Sequence, residues 1–237
     1  MKLLACLLFC INALFSTAQR TIDVNKNEVS GTSPSLFMVV GGTPFVTARF
    51  AKVVSGTPFF SDEWLKGTVA VNGGHEYAGL LLKLDLLDNE LHYMDTKGIE
   101  MIATSALQKV LLFDTLTQRV FAFINSSFIN AGTPVQKGWY QLLVQGEVTL
   151  FKQYHKIIRE DKPYNSATVE QYIDTSPRYF VLYKNSFAEI KKMKDLPDIF
   201  KDRKEQLVKY IKDNKLTGKT DEDYSVIVNF YIELIKQ

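Results

Sequence analysis

The sequence predicts an α+β fold: a mainly antiparallel β region, curled as a meander, sandwich or partly closed barrel, with two or three C-terminal helices packed on it. Three observations carry this. Short apolar runs alternate with polar residues between about 45 and 185, turn-forming residues separate those runs at hairpin spacing, and the apolar period changes from two to about 3.6 near Ser186. The composition agrees, because 237 residues at 46% hydrophobic and 23% charged form a globular mixture that excludes disordered, collagen-like and coiled-coil classes.

Residues 1–18 read as a signal peptide. Lys2 is the charged start, Leu3 to Phe15 is an apolar run shorter than the ~20 residues a spanning helix needs, and Ser16-Thr17-Ala18 offers small residues for cleavage. Residues 19–44 read as an N-terminal arm with one strand, Leu36 to Val40, between Thr32-Ser33-Pro34-Ser35 and Gly41-Gly42-Thr43-Pro44. Residues 45–185 read as the β region. Its clearest strand runs from Tyr77 to Leu87, with Leu80, Leu82, Leu84 and Leu86 on a buried face and Lys83 and Asp85 on an exposed one. Asn72-Gly73-Gly74, Leu87-Asp88-Asn89-Glu90 and Asp95-Thr96-Lys97-Gly98 are the turns around it. Later runs are Val110 to Phe113, Val120 to Ile124, Trp139 to Val144, Val148 to Ile158 and Tyr179 to Tyr183.

Residues 186–237 read as a helical segment of the same domain, since two helices alone bury too little to stand apart. Asp195-Leu196-Pro197-Asp198 starts one helix, with Phe200, Lys204, Leu207, Val208 and Ile211 at helical spacing. Thr220-Asp221-Glu222-Asp223 caps the last, whose buried stripe is Tyr224, Ile227, Val228, Tyr231, Leu234 and Ile235. The order of these parts, with KQYHKIIREDKPYN at 152–165 and DEDYSVIVNFYIEL at 221–234, resembles uncharacterised secreted β-rich proteins common in Bacteroidota. That resemblance implies an exported bacterial domain and supplies no activity and no site.

The chemistry is narrowed mainly by exclusion. Both cysteines, Cys6 and Cys10, lie in the signal, so the processed chain has neither disulfide nor thiol nucleophile. His75, His92 and His155 share no metal-ligand spacing, and GxSxG, SxxK, P-loop and GxGxxG patterns are absent. Acids cluster at Asp62-Glu63, at Asp85, Asp88 and Glu90, and at Asp221 to Asp223. Asp85 alone stands where a glycosidase acid could, on the exposed sheet face. No catalytic residue, metal or cofactor is assigned. Residues 184–219 hold eleven Lys or Arg against six acids, a local +5 suited to an anionic partner or a solvated face. The surface singled out for binding is Tyr179, Tyr183, Lys191, Lys192 and Lys194. Its partner is an unidentified macromolecule or small ligand in the periplasm or outside the cell; nucleic acid does not suit an exported chain. The reading is therefore a non-enzymatic envelope or secreted interaction module, with a small-ligand or glycan-binding β-barrel carrier as the alternative and a hydrolase a distant third.

N-terminal sequencing of the exported product should begin at Gln19, or within about three residues of it, because the small residues Ser16 and Ala18 flank the favoured cut. A cytoplasmic product that keeps Met1 would defeat the export reading.

Overall fold

Turn chemistry and strand period together set the architecture. The computed structural model describes residues 21–23, 36–47 and 51–236, so the expected signal peptide lies outside the described residues. Within them thirteen strands form one open sheet. They are β1 (Thr21–Asp23), β2 (Thr43–Pro44), β3 (Ala51–Ser55), β4 (Leu65–Val71), β5 (Glu76–Asp85), β6 (Glu90–Met94) and β7 (Glu100–Ile102), then β8 (Leu107–Asp114), β9 (Arg119–Asn125), β10 (Trp139–Val144), β11 (Thr149–Asp161), β12 (Val169–Tyr183) and β13 (Ser186–Ile190). The path runs β13-β12-β11-β10-β9-β8-β4-β5-β6-β7-β2 and does not close into a barrel. Pairing is antiparallel except where β1 joins β5 and β3 joins β12. The helices are α1 (Leu36–Val40), α2 (Leu196–Ile199), α3 (Lys204–Asp213) and α4 (Asp221–Ile235), the last three at the C-terminus as expected.

The same device makes two of the hairpins. Asp85 Oδ1 accepts the backbone N–H groups of Leu87 and Asp88, both at 2.8 Å, and Asp114 does the same for Leu116 and Thr117. Each turn then exits through a left-handed residue, Asn89 (φ 63°) or Gln118 (φ 55°). In β5 the pairing shifts register, so that Ala78 and Gly79 together face Thr68. Gly79 takes φ 79°, which a side chain resists, and the extra residue makes a bulge. Its consequence is a change of phase: odd-numbered Tyr77 and even-numbered Leu80, Leu82 and Leu84 all reach the same core.

Three apolar cores follow. The first gathers β4 to β9 residues with Val40 and Trp139. The second lies between β10–β13 and the C-terminal helices, and includes Leu150, Val181, Phe200, Leu207, Ile227 and Tyr231. On β11, Leu150 belongs to the second core and Tyr154 packs on the first, so alternation puts both cores on one sheet face. Phe151 points the opposite way into a third core with Tyr140 and Phe180. The Tyr140 hydroxyl donates to the Gln136 carbonyl at 3.0 Å, and burial pushes it up to about 12. Pro177 sits midway along β12, between the stretch paired with β3 and the stretch paired with β13, where the missing N–H disturbs no second ladder.

Several expectations are corrected. Leu36–Val40 is a short helix, not a strand, and it plugs the first core with fully buried Val40. Ser186–Ile190 is a strand, so the helical segment starts only near Met193; the two-residue turn Lys184-Asn185, with both φ angles positive (47° and 63°), returns the chain for one more hairpin. The far face of β5 is covered at its C-terminal end: Asp85 is 5% exposed, because Phe59 bridges to it and Phe60 N–H donates to the Leu84 carbonyl, while Leu81 earlier on that face stays exposed. Gly56 allows this strap to leave β3, since its φ is 75° and a Cβ there would collide with the Ile173 carbonyl. In α3 Val208 is 50% exposed instead of buried, because the core is met by Leu207, Tyr210 and Ile211, and Val208, about 100° round the helix from Leu207, falls at the outer edge of that face. In α4 Ile232 is buried, while Leu234 and Ile235 are only half-buried.

Ile227→Ala should therefore cost about 2 to 5 kcal/mol in urea unfolding, by lost transfer energy plus a cavity, and Leu234→Ala clearly less. Equal losses at the two positions would contradict the observed helix face.

Candidate functional site

The end of the sheet formed by β12 and β13 meets the start of the helices, and there the groups of mixed chemistry converge. Alternation along β13 turns Ser186 and Ala188 toward the helices, while Ile190 continues into the second core. The Lys184-Asn185 turn holds Lys184 at the rim, its Nζ 4.8 Å from the Tyr183 ring centroid. Opposite stand Ile199 on α2 and Lys201 and Asp202 in the single 3-10 turn that follows. These side chains and Tyr183 enclose an open cleft of about 380 Å³.

An aromatic cluster holds the cleft in shape. Tyr183 packs edge-on against Phe200 and Tyr231, with centroids 5.6 and 5.5 Å away, and Phe200 and Tyr231 stack at 3.9 Å. The buried Tyr231 hydroxyl donates to Asp202 Oδ1 at 2.9 Å. Burial, and then the hydrogen bonds to Tyr183 and Asp202, raise the Tyr231 pKa, so it stays a neutral donor. The oxygen of Tyr183, followed by the carboxylates of Asp202 and Glu147, keeps the Lys184 ammonium above its ordinary value. The cleft thus offers two ammonium groups, one carboxylate, two hydroxyls and an apolar wall.

The surface named from the sequence divides into three places. Tyr183 lines the cleft. Tyr179 is buried, stacked on Tyr224 at 3.9 Å, and its hydroxyl donates to Asp221 Oδ1 at 2.7 Å; burial and that carboxylate raise its pKa. Lys191, Lys192 and Lys194 are exposed beyond the far end of β13, which at ~3.3 Å per residue puts Lys192 roughly 20 Å from Ser186. Lys184, Ser186, Lys201 and Asp202 were missed because the segment was read as helical from Ser186 onward. The available signal was Asn185 next to Lys184, a pair suited to a two-residue hairpin turn.

A second polar cluster lies on the far side of β6. His92 is 1% exposed, with its ring between those of Phe45 (4.9 Å) and Phe59 (5.2 Å). Its Nδ1 lies 2.7 Å from Glu100 Oε1, while Nε2 lies 3.8 Å from Glu90 Oε2 and has no hydrogen-bond partner among the described residues. The His92 ring is thus part of the interior, while Glu100, 30% exposed, stands at its edge. Asp85, expected on an open face as a possible glycosidase acid, shares this buried side. Its pKa is raised chiefly by burial, against the lowering effect of the N–H bonds from Asp88 and Leu87. His75 and His155 lie on a turn and on β11 respectively, away from β6.

Comparisons with protein-family models, with curated proteins and with solved structures find no match to the chain. No helix among the described residues is long and apolar enough to cross a membrane.

Asp85 gives a pH signature. A carboxyl whose folded pKa is raised leaves stability unaffected where it is protonated in both states. It lowers stability as pH climbs from the unfolded value near ~3.9 through the folded one. Asp85→Asn keeps an oxygen acceptor for Leu87 and Asp88, so its melting temperature should rise relative to wild type across that window and then hold steady. A difference that does not vary with pH would mean that the carboxylate is hydrated.

Proposed function

We propose that the chain is an exported, non-enzymatic binding module of the bacterial envelope or its surroundings, and that the cleft between the β12–β13 turn and the C-terminal helices is its contact centre. The observation that carries this reading is the convergence of Tyr183, Lys184, Ser186, Lys201 and Asp202 on a recess braced by stacked Phe200 and Tyr231. Such a site holds a ligand group by charge, hydrogen bond and apolar contact at once. The N-terminal pattern and the resemblance in layout support export.

The alternative, a carrier, needs a ligand-sized cavity inside a curled sheet. The open strand path and the interior aromatic packing of Tyr140, Phe151 and Phe180 weigh against it. A smaller ligand role remains consistent with the cleft itself, whose volume of about 380 Å³ sits at the low end of the ~300–1,000 Å³ range of ligand sites.

Placing a photo-crosslinking residue at Ser186, and for comparison at exposed Thr175 on β12, tests the assignment in exporting cells. One defined adduct should form from position 186, should be absent from position 175, and should be lost when Lys201→Glu reverses the charge of the cleft without altering the melting temperature. Equal adducts from both positions, or an adduct indifferent to Lys201→Glu, would overturn the cleft as contact centre.

A further inference from the structure

The charge of this protein is divided in space. Residues 184–219 carry +5 within a chain whose formal total is +2, which leaves the remainder at −3. Much of that positive charge is on α3 and the turns that flank it. Between Lys201 and Lys219 seven cations face three acids, Asp202, Glu205 and Asp213. α3 turns Leu207 fully inward and Tyr210 and Ile211 partly inward, so Lys204, Val208 and Lys212 follow one another at four-residue spacing along the exposed flank, with Lys209 alongside and one acid, Glu205, a turn before it. Beyond the helix Lys215, at φ 53°, reverses the chain while its own side chain stays exposed.

The chemistry of this face is specific in two respects. Its charges are ammonium groups: Arg203, the only guanidinium of the segment, is half-buried and donates from Nη2 to the Leu234 carbonyl at 3.3 Å. The face also carries an apolar residue among its cations, Val208, at 50% exposure. Lys204 meets Asp198 at 2.6 Å, but both groups are more than half exposed, so solvent screens the pair and Lys204 still adds to the field. At ~1.5 Å rise per residue, the row from Lys204 to Lys212 is about 12 Å long and lies on a convex surface.

We infer that the outer face of α3 docks peripherally on an anionic lipid surface, with the helix lying in the plane of the headgroups, Lys204, Lys209, Lys212 and Lys215 among the phosphates and Val208 pressed toward the acyl boundary. Evenly spaced point charges around a small apolar residue match a flat, diffuse field of negative charge. A nucleic acid or a sulfated glycan is better served by a groove and by guanidinium forks that pair with its oxyanions. Attraction of this kind acts over roughly one Debye length, ~10 Å at 0.1 M salt, and orients the molecule because the rest of the chain is acidic. The inference does not rest on the cleft, whose cations Lys184 and Lys201 are not part of this row.

The test mixes the chain from Gln19 onward, which contains every described element, with sedimentable vesicles. One set is pure phosphatidylcholine and the other is one third phosphatidylglycerol. The protein should sediment with the anionic vesicles only, and high salt should release it. Lys209→Glu, Lys212→Glu and Lys215→Glu combined should lower the affinity by more than about tenfold. Ser186→Ala, a cleft variant that leaves the charge unchanged, should leave vesicle binding within about twofold, which separates failure of this inference from failure of the cleft reading. Val208→Ala should weaken binding a few-fold without moving the melting temperature, a readout that does not depend on charge reversal. Sedimentation of the triple variant equal to wild type would overturn the inference, as would equal binding to neutral vesicles. Tighter binding to a heparin fragment than to the anionic vesicles would reassign the face to a polyanionic glycan and overturn it as well.

Discussion

Asp221 joins the two parts of the structure. As the first residue of α4 it lies where the helix N-terminus favours negative charge, and its carboxylate accepts both the Tyr179 hydroxyl at 2.7 Å and the Lys152 ammonium at 2.9 Å. Lys152 stands on β11 between Leu150 of the second core and Tyr154 of the first, with its Nζ 4.6 Å from the Tyr154 ring centroid. Tyr154 in turn donates to Gln141 at 2.7 Å. A polar line therefore crosses the sheet where its two same-face cores meet. Helix propensity alone leaves open where α4 sits along the sheet; this line supplies the position, and stacking of Tyr224 on Tyr179 supplies the approach. With α4 in place, Tyr231 and Phe200 form the wall that Tyr183 rests against, so the cleft depends on a contact made at the opposite end of the helix.

The capping of α4 shows the same economy. Thr220 accepts the Asp223 N–H, and Asp223 returns toward the loop to accept from Thr217, Gly218 and Lys219. Burial works to raise the Asp223 pKa, but those hydrogen bonds together outweigh it and hold it below the ordinary value. The acid trio at the helix start is thereby divided by role: Asp221 ties the helix to the sheet and Asp223 ties it to the preceding turn. Both carboxylates are thus engaged in fixing the start of the helix.

The strap from Gly56 to Phe60 plays a comparable part on the other half. It leaves β3, is held by Lys156 Nζ donating to the Thr57 carbonyl at 2.8 Å, and meets β5 at Asp85. Phe60 then enters the first core against Phe121, Phe123 and Tyr154, while Phe59 closes over His92 on the opposite face. Two consecutive phenylalanines thus cover the two faces of one sheet. The long β11–β12 hairpin is the scaffold for both regions, because it carries the strap partner Lys156, the seam lysine Lys152 and the cleft wall Tyr183.

By itself the sequence determined the class of the fold, several of its turns and the middle of the last helix's buried stripe, Tyr224 to Tyr231, since these depend on residues close together in the chain. The leucines of β5, the Asp95-Thr96-Lys97-Gly98 turn and the Thr220 cap are all local signals, and they are legible. The tertiary structure alone decided the rest. It converted Leu36–Val40 into a helix by giving Val40 a core to fill, made Ser186–Ile190 a strand by offering β12 as a partner, and buried Asp85 and His92 beneath a strap some thirty residues upstream. The cleft belongs to this second kind, for Tyr183, Ser186 and Lys201 carry no spacing that marks a site. They become neighbours only because a two-residue turn and a helix anchored on Asp221 fold back onto the same edge of the sheet.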